Sequence, residues 1–189
     1  MKRKQEILRE VAGLFFEKGY SGTSVRDIGK ALNITNPGIY YYFENKQQIL
    51  YTICNDLMTR VLEDVRARIS TMTAPREMLE FMVKAHIDVF VESPAETKVM
   101  IYEQHSLEGE YRSRFRRQQR EYMSVLKEVL GRLAEESGAD VDLNVAAFSL
   151  IGMLNWVVQW YEPAGKVPPD RLAEDVARLF LKGFEGSHD

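Results

Sequence analysis

Between Ser24 and Lys46 the chain gathers side chains that suit contact with nucleic acid: Ser24, Arg26, Thr35, Asn36, Pro37, Gly38, Tyr40, Tyr41 and Lys46. Hydroxyls, phenols and cations bind phosphate oxygens and so position a protein on a duplex. An amide near a helix start can pair with an adenine edge, and a proline ring can touch a thymine methyl, so Asn36 and Pro37 are candidates for reading bases. Gly38 adds no bulk, which lets that end of the segment come close to base edges. The spacing says how these groups must be carried. Thr23 or Ser24 can cap a short helix with Val25, Ile28 and Leu32 at helical spacing. After a three-residue break at Asn33 to Thr35, Thr35 can cap a second helix with Pro37 in its first turn. Ile39 and Phe43 remain for an interior. The pattern is that of a helix-turn-helix whose second helix enters the major groove.

Other chemistries lack their residues. There is no Gly-rich phosphate loop, no CxxC pair and no Gly-x-Ser-x-Gly elbow. The Glu-x-x-His at Glu185 to His188 is unrepeated and sits at the C-terminal end, whereas a di-iron bundle needs two such motifs and two further carboxylates. No catalytic residue, metal ligand or cofactor is expected, and the chain does not read as an enzyme. Cys54, the single cysteine, lies among Ile49, Leu50, Ile53 and Leu57 and reads as a small core hydrophobe rather than a redox sensor.

Charge is divided along the chain. The 189 residues carry a formal net charge of −3, yet residues 1–46 hold 8 basic and 5 acidic side chains and residues 47–189 hold 17 and 23. The surplus of positive charge coincides with the nucleic-acid motif and includes Lys2, Arg3 and Lys4, while the acidic remainder would be repelled by a duplex and favours one docking orientation.

Every segment that must position these groups reads as helix, about nine in all. The first runs from about Arg3 to Lys18 on Ile7, Leu8, Val11, Leu14 and Phe15 and ends at Gly19. The fourth carries Ile49, Ile53, Leu57, Val61, Val65 and Ile69 across about five turns, long enough to join a head to a body. Pro75 opens the fifth, Ser93-Pro94 separates it from a sixth that runs to about His105, and the seventh spans Glu110 to Glu136 before Gly138. The eighth, from about Asp142 to Tyr161, is apolar nearly all round, and a ninth follows Pro168-Pro169. A helix apolar on more than one face must be covered on more than one face, and in a chain of this size a second subunit is the simplest cover.

The stretch from the first helix through Gly19-Tyr20, Thr23-Ser24, Tyr40-Tyr41-x-Phe43 and Lys46 resembles the N-terminal DNA-binding domain of the TetR family of bacterial one-component regulators. Tyr42 stands where the family commonly has His and Gly29 where it commonly has Ala, while Gly38 gives the recognition helix a position with no side chain. The resemblance implies an all-α, TetR-like fold: a three-helix helix-turn-helix domain over 1–47 and a helical ligand-binding and dimerisation domain over 48–189. It implies a ligand-responsive regulator of transcription in the bacterial cytoplasm, at the nucleoid when on DNA and with no membrane partner. By family default it is a repressor released from a palindromic double-stranded operator by a small hydrophobic inducer. A transcriptional activator or a multidrug-sensing repressor of the same fold is the alternative.

Homodimerisation is expected through the eighth and ninth helices, where Ala147 and Gly152 allow close approach. The expected inducer cavity draws on Phe81, Tyr102, His105, Phe115, Tyr122, Asn155 and Trp156, with His86 as a further polar candidate. The run Gly152 to Pro163, with Leu181-x-Gly183-Phe184, resembles the branch of the family that senses acyl-coenzyme A thioesters. Arg112, Arg114, Arg116, Arg117 and Arg120 then become candidate phosphate ligands, or a solvated helix face.

Overall fold

The computed structural model describes residues 2–186; Ser187, Asp189 and His188 of the Glu-x-x-His motif lie outside the described residues. The chain folds into α1 (Lys2–Lys18), α2 (Val25–Leu32), α3 (Asn36–Tyr42), α4 (Lys46–Ile69), α5 (Pro75–Glu92), α6 (Pro94–Glu103), a single 3-10 turn (Gln104–Ser106), α7 (Gly109–Ser137), α8 (Leu143–Trp160) and α9 (Pro169–Glu185). Among the described residues there is no strand, as the periodicity requires. The sixth helix is shorter than its sequence pattern, because the backbone tightens into the 3-10 turn at Gln104.

The short helices close by local chemistry. Ser24 and Asp27 form a reciprocal capping box at the start of α2: the Asp27 N–H donates to the Ser24 hydroxyl at 3.1 Å and the Ser24 N–H to the Asp27 carboxylate at 3.0 Å. The Ser24 hydroxyl also donates to the Asp27 carboxylate, and this bond, together with the one from the Ser24 N–H, holds the Asp27 pKa below its usual value. Asn33 ends α2 in the left-handed region at φ 52°, which an amide side chain tolerates. The Ile34 N–H then donates to the Gly29 carbonyl at 2.9 Å, and a Cβ on Gly29 would lie 2.7 Å from the Ile34 carbonyl oxygen. The glycine that departs from the family's alanine is therefore set by how tightly the turn folds back on α2.

The described residues form two compact units, each assembled from discontinuous stretches: 2–59 with 93–118, and 60–92 with 119–186. The first unit has one continuous core that includes Val11, Phe15, Ile28, Ile39, Phe43 and Ile49, joined by Val99, Leu107 and Phe115 from the later stretch. Cys54 belongs to this core, fully buried, and burial pushes its thiol up to about 12, which leaves it inert as a nucleophile.

In the second unit α9 packs along α5, and α8 packs on both. Ala147, Leu150, Leu154, Val157, Val176 and Phe180 point inward. By length and composition alone α8 is apolar enough to cross a bilayer, with a mean hydropathy of 1.3 over its 18 residues. A single such helix is weak support for a span, since the core helix of a folded bundle passes the same test, and the inward half of α8 is occupied by α5 and α9.

One polar cluster interrupts the apolar interior of the second unit. The His86 Nδ1 of α5 lies 3.3 Å from the Tyr122 hydroxyl of α7, and the His86 ring also shares a hydrogen bond with the Asn155 side chain of α8. Burial lowers the His86 pKa to about 4 and raises that of Tyr122, so both groups are neutral at pH 7.

Candidate nucleic-acid interface

The first unit brings the α2–α3 residues together on one exposed surface. Arg26, Asn36, Pro37 and Tyr40 are exposed, and Tyr41, at 83%, is the most exposed large hydrophobic side chain among the described residues. Tyr42 is half-buried and holds Tyr41 by an edge contact with ring centroids 5.0 Å apart. Thr35 caps α3 by accepting from the Gly38 N–H at 3.3 Å, and Ser24 is occupied by its capping box. A Cβ on Gly38 would meet the Ile34 side chain at 2.6 Å, so the bare position lets Ile34 tuck beneath α3. Ile39 and Phe43 anchor that helix from below.

Lys46 is placed differently from the exposed tyrosines. Its Nζ donates to the carbonyls of Tyr20 and Thr23, both at 2.9 Å, and sits 4.1 Å from the centre of the Tyr20 ring. Two of its three ammonium protons are thus directed at backbone and one is left for a phosphate. Burial lowers its pKa. Lys4 and Tyr20, both noted in the sequence, and Gln47, which was not, also contribute here. Lys4 lies over the Phe43 ring at 5.2 Å, which fixes the basic start of α1 beside the end of α3. Gln47 bridges α4 to the connector before α7, and Tyr20 supports Lys46. Gln47 lies 59 and 61 residues from its partners, a separation that carries no local sequence signal.

The residues expected to line a cavity divide between the units. Phe81, Tyr122, Asn155 and Trp156 belong to the second, whereas Tyr102, His105 and Phe115 belong to the first. Phe115 is fully buried in the first unit's core and Tyr122 is buried in the polar cluster, while Tyr102, His105 and Trp156 are exposed. Phe81 is half-buried beneath the Arg68 guanidinium, 5.5 Å from ring centre to cation. Of the α7 arginines, Arg112 donates to the carbonyls of Leu107 and His105 and Arg114 pairs with Glu110, whereas Arg116, Arg117 and Arg120 are exposed.

This arrangement has a close counterpart among known proteins. Residues 7–52 match the model of bacterial regulatory proteins of the tetR family, and residues 72–184 match that of the tetracyclin repressor-like C-terminal domain. The chain belongs to the TetR family. It is a DNA-binding transcriptional regulator, as the helix-turn-helix surface requires.

Relatives that match along nearly the whole chain agree. The HTH-type transcriptional repressor KstR2 of Rhodococcus jostii is 29% identical over 195 residues, covering 99% of this chain and 93% of the relative. The crystal structure of the regulator PfmR from Thermus thermophilus superposes with a TM-score of 0.83 at 30% identity, over 93% of this chain and 97% of that one. The structure of AibR in complex with isovaleryl coenzyme A and operator DNA gives a TM-score of 0.81 at 29% identity, over 98% and 100% of the two chains.

Proposed function

We propose that this TetR-family protein is a cytoplasmic repressor that binds a palindromic operator as a homodimer and is released by a small apolar inducer. The observation that carries the DNA reading is the exposed constellation of Asn36, Pro37, Tyr40 and Tyr41 on a short helix whose apolar side is fully buried. In this reading Asn36 and Pro37 read bases, and Arg26, Thr35, Tyr40, Tyr41 and Lys46 hold phosphates, with Gly38 leaving room for close approach; Ser24, whose hydroxyl and N–H both donate to Asp27, serves by fixing the start of α2. Residues 1–47 supply all of these contacts, and 48–189 supply ligand binding and dimerisation.

Dimerisation is supported by the outward face of α8, where Val145, Phe148, Trp156 and Trp160 are each more than half exposed and fall on one helical stripe. Leu179 on α9 is exposed to the same degree, and Gly152 and Gly183 open onto free space. Aromatic side chains with small residues between them suit close packing against a second copy. A two-fold dimer also sets two recognition helices about 34 to 36 Å apart, one turn of the duplex.

For the inducer, the second unit offers the neutral His86–Tyr122–Asn155 cluster, set in an apolar interior, as the group that would orient a ligand; Phe81, stacked under Arg68, is not among its partners. Neutral donors and acceptors of this kind orient an uncharged group such as a thioester or keto carbonyl better than a free carboxylate. The resemblance to AibR, crystallised with isovaleryl coenzyme A and operator DNA together, supports acyl-coenzyme A thioesters as the ligand class; release of DNA by them is the family default. The exposed Arg120, in the same unit as the cluster, is then available to the coenzyme's phosphates. Ligand binding is transmitted along α4, a single helix that contributes residues to both units. By linkage the inducer binds free dimer more tightly than DNA-bound dimer by the factor by which it weakens DNA binding.

Selection of duplexes from a random pool, followed by titration of the selected duplex with straight-chain, branched-chain and steroid acyl-coenzyme A thioesters, tests both halves. The wild type should retain a palindrome, and Asn36→Ala should relax one base position per half-site by about 1 to 3 kcal/mol. At least one thioester should release the duplex. An unaltered preferred site in Asn36→Ala removes Asn36 from base reading, and tightened binding with a thioester reverses the sign from repressor release to co-repression or activation.

A further inference from the structure

Two adjacent side chains at the start of α4 face different partners in the first unit. Lys46 donates to the carbonyls of Tyr20 and Thr23, the latter just before the Ser24 cap of α2. Gln47 clamps the connector between the 3-10 turn and α7 with both halves of its amide. Its Nε2 donates to the Ser106 carbonyl at 2.8 Å, and its Oε1 accepts from the Glu108 N–H at 3.1 Å. Leu107, between those two residues, is fully buried in the unit's core. Tyr20 joins the two systems: its carbonyl and ring hold the Lys46 ammonium, and its hydroxyl shares a hydrogen bond with the Gln47 side chain. The connector has a second tether, Arg112, which donates to the Leu107 and His105 carbonyls from α7.

A bidentate amide on a backbone segment is directional. Both bonds weaken together if either partner turns, because the carboxamide is rigid and its oxygen and nitrogen are fixed relative to each other. A duplex that fixes the start of α2 and the first turn of α4 therefore also fixes Gln47, and with it the 106–108 backbone.

We infer that Gln47 is a positioning residue that couples DNA occupancy of the helix-turn-helix to the order of the 106–108 connector, with Tyr20 and Lys46 carrying the link to α2. This rests on the DNA-binding reading above and assigns a residue to its regulation. Reciprocity follows: whatever draws the connector away from Gln47 weakens operator binding by the same factor that DNA strengthens the clamp.

Hydrogen exchange of the full-length protein, resolved over peptides spanning 104–110 with and without a duplex selected from a random pool, measures the coupling directly. In the wild type, duplex should slow exchange of the Glu108 amide by roughly tenfold, within the usual range of coupling between sites. Gln47→Met, which keeps length and helix propensity, should still bind duplex but lose the DNA-dependent slowing to less than about twofold. Arg112→Met should raise exchange in both states yet keep the wild-type ratio, which separates coupling from mere tethering. Gln47→Glu, which retains the acceptor for the Glu108 N–H and loses the donor to Ser106, should give an intermediate ratio and serves if Gln47→Met does not fold. A wild-type ratio in the Gln47 variants, or no DNA effect at Glu108 in the wild type, overturns the inference. A wild type that retains no duplex instead overturns the DNA-binding reading beneath it.

Discussion

Around α3 the side chains left in solvent are amides, phenols and cations over a core of apolar side chains, whereas α8 turns Val145, Phe148, Trp156 and Trp160 to solvent and keeps its polar Asn155 for a cluster with His86 and Tyr122. The first is the ordinary arrangement of a surface that meets charged phosphates and base edges. The second is reversed, and each half of the reversal has its own cause. An apolar stripe at helical spacing, wider than single scattered residues, suits a protein surface of the same kind. A neutral polar cluster in a low-dielectric interior orients a polar group, and it stays neutral because ionisation there is costly.

The sharpest way to break the contrast is to charge the α8 stripe. Phe148→Glu and Trp156→Glu each place a carboxylate where a second copy would desolvate it, and each should weaken the dimer by about 3 kcal/mol or more, beyond a hundredfold in dissociation constant. Light scattering at micromolar protein should show monomers with unchanged helix content by circular dichroism, because both positions are exposed within one chain. A variant that remains dimeric places the interface elsewhere. Val176 and Ala147 are poor probes of the same question, since both are buried within the second unit and a charge there would unfold it.

Next comes the interior cluster. His86 is held near 4 by burial against 6.5 when unfolded, so above pH 6.5 both states are neutral and its contribution is complete. Between pH 6.5 and 4 the unfolded chain takes up a proton that the folded chain refuses, so stability falls with pH by an amount on the order of 2 to 3 kcal/mol. Urea midpoints of wild type and His86→Phe across that window should differ in slope, the variant being flatter by this amount. Parallel curves would mean that His86 is solvated and ionises normally in the fold.

The smallest of the three effects tests how ordinary the α3 side is. Lys46→Met removes two charge-assisted bonds to backbone carbonyls and should cost about 2 kcal/mol of stability. Its remaining proton is the one available to phosphate, so the slope of log affinity against log salt should also fall by about one unit. A stability loss with the wild-type salt slope confines Lys46 to holding α4 against α2, and a slope change without a stability loss removes the clamp.

Much of the fold was legible because its signals are local. The Ser24 and Thr35 caps, the apolar spacing of Val25, Ile28 and Leu32, the proline starts at Pro75, Pro94 and Pro169 and the stop at Gly138 each act within a turn or two of where they stand. The exposed tyrosines of α3 were legible for the same reason, since their exposure follows from the burial of Ile39 and Phe43 one helical face away. Aromatic and methionine positions in the body were less telling. Period alone marks Phe115 and Trp156 alike as apolar, yet one is sealed in a core and the other lies in solvent.

The sequence by itself thus determined the all-helical class, the helix-turn-helix and which polar and phenolic groups stand exposed around α3, because caps, periodicity and side-chain chemistry are properties of short segments. Only the tertiary structure decided that the Lys46 ammonium is mostly spent on Tyr20 and Thr23, that Gln47 grips residues some sixty positions away, and that His86, Tyr122 and Asn155 meet. Each of these is a contact between segments brought together by packing, and hydrogen-bond partners over such separations are set by geometry that no local pattern encodes.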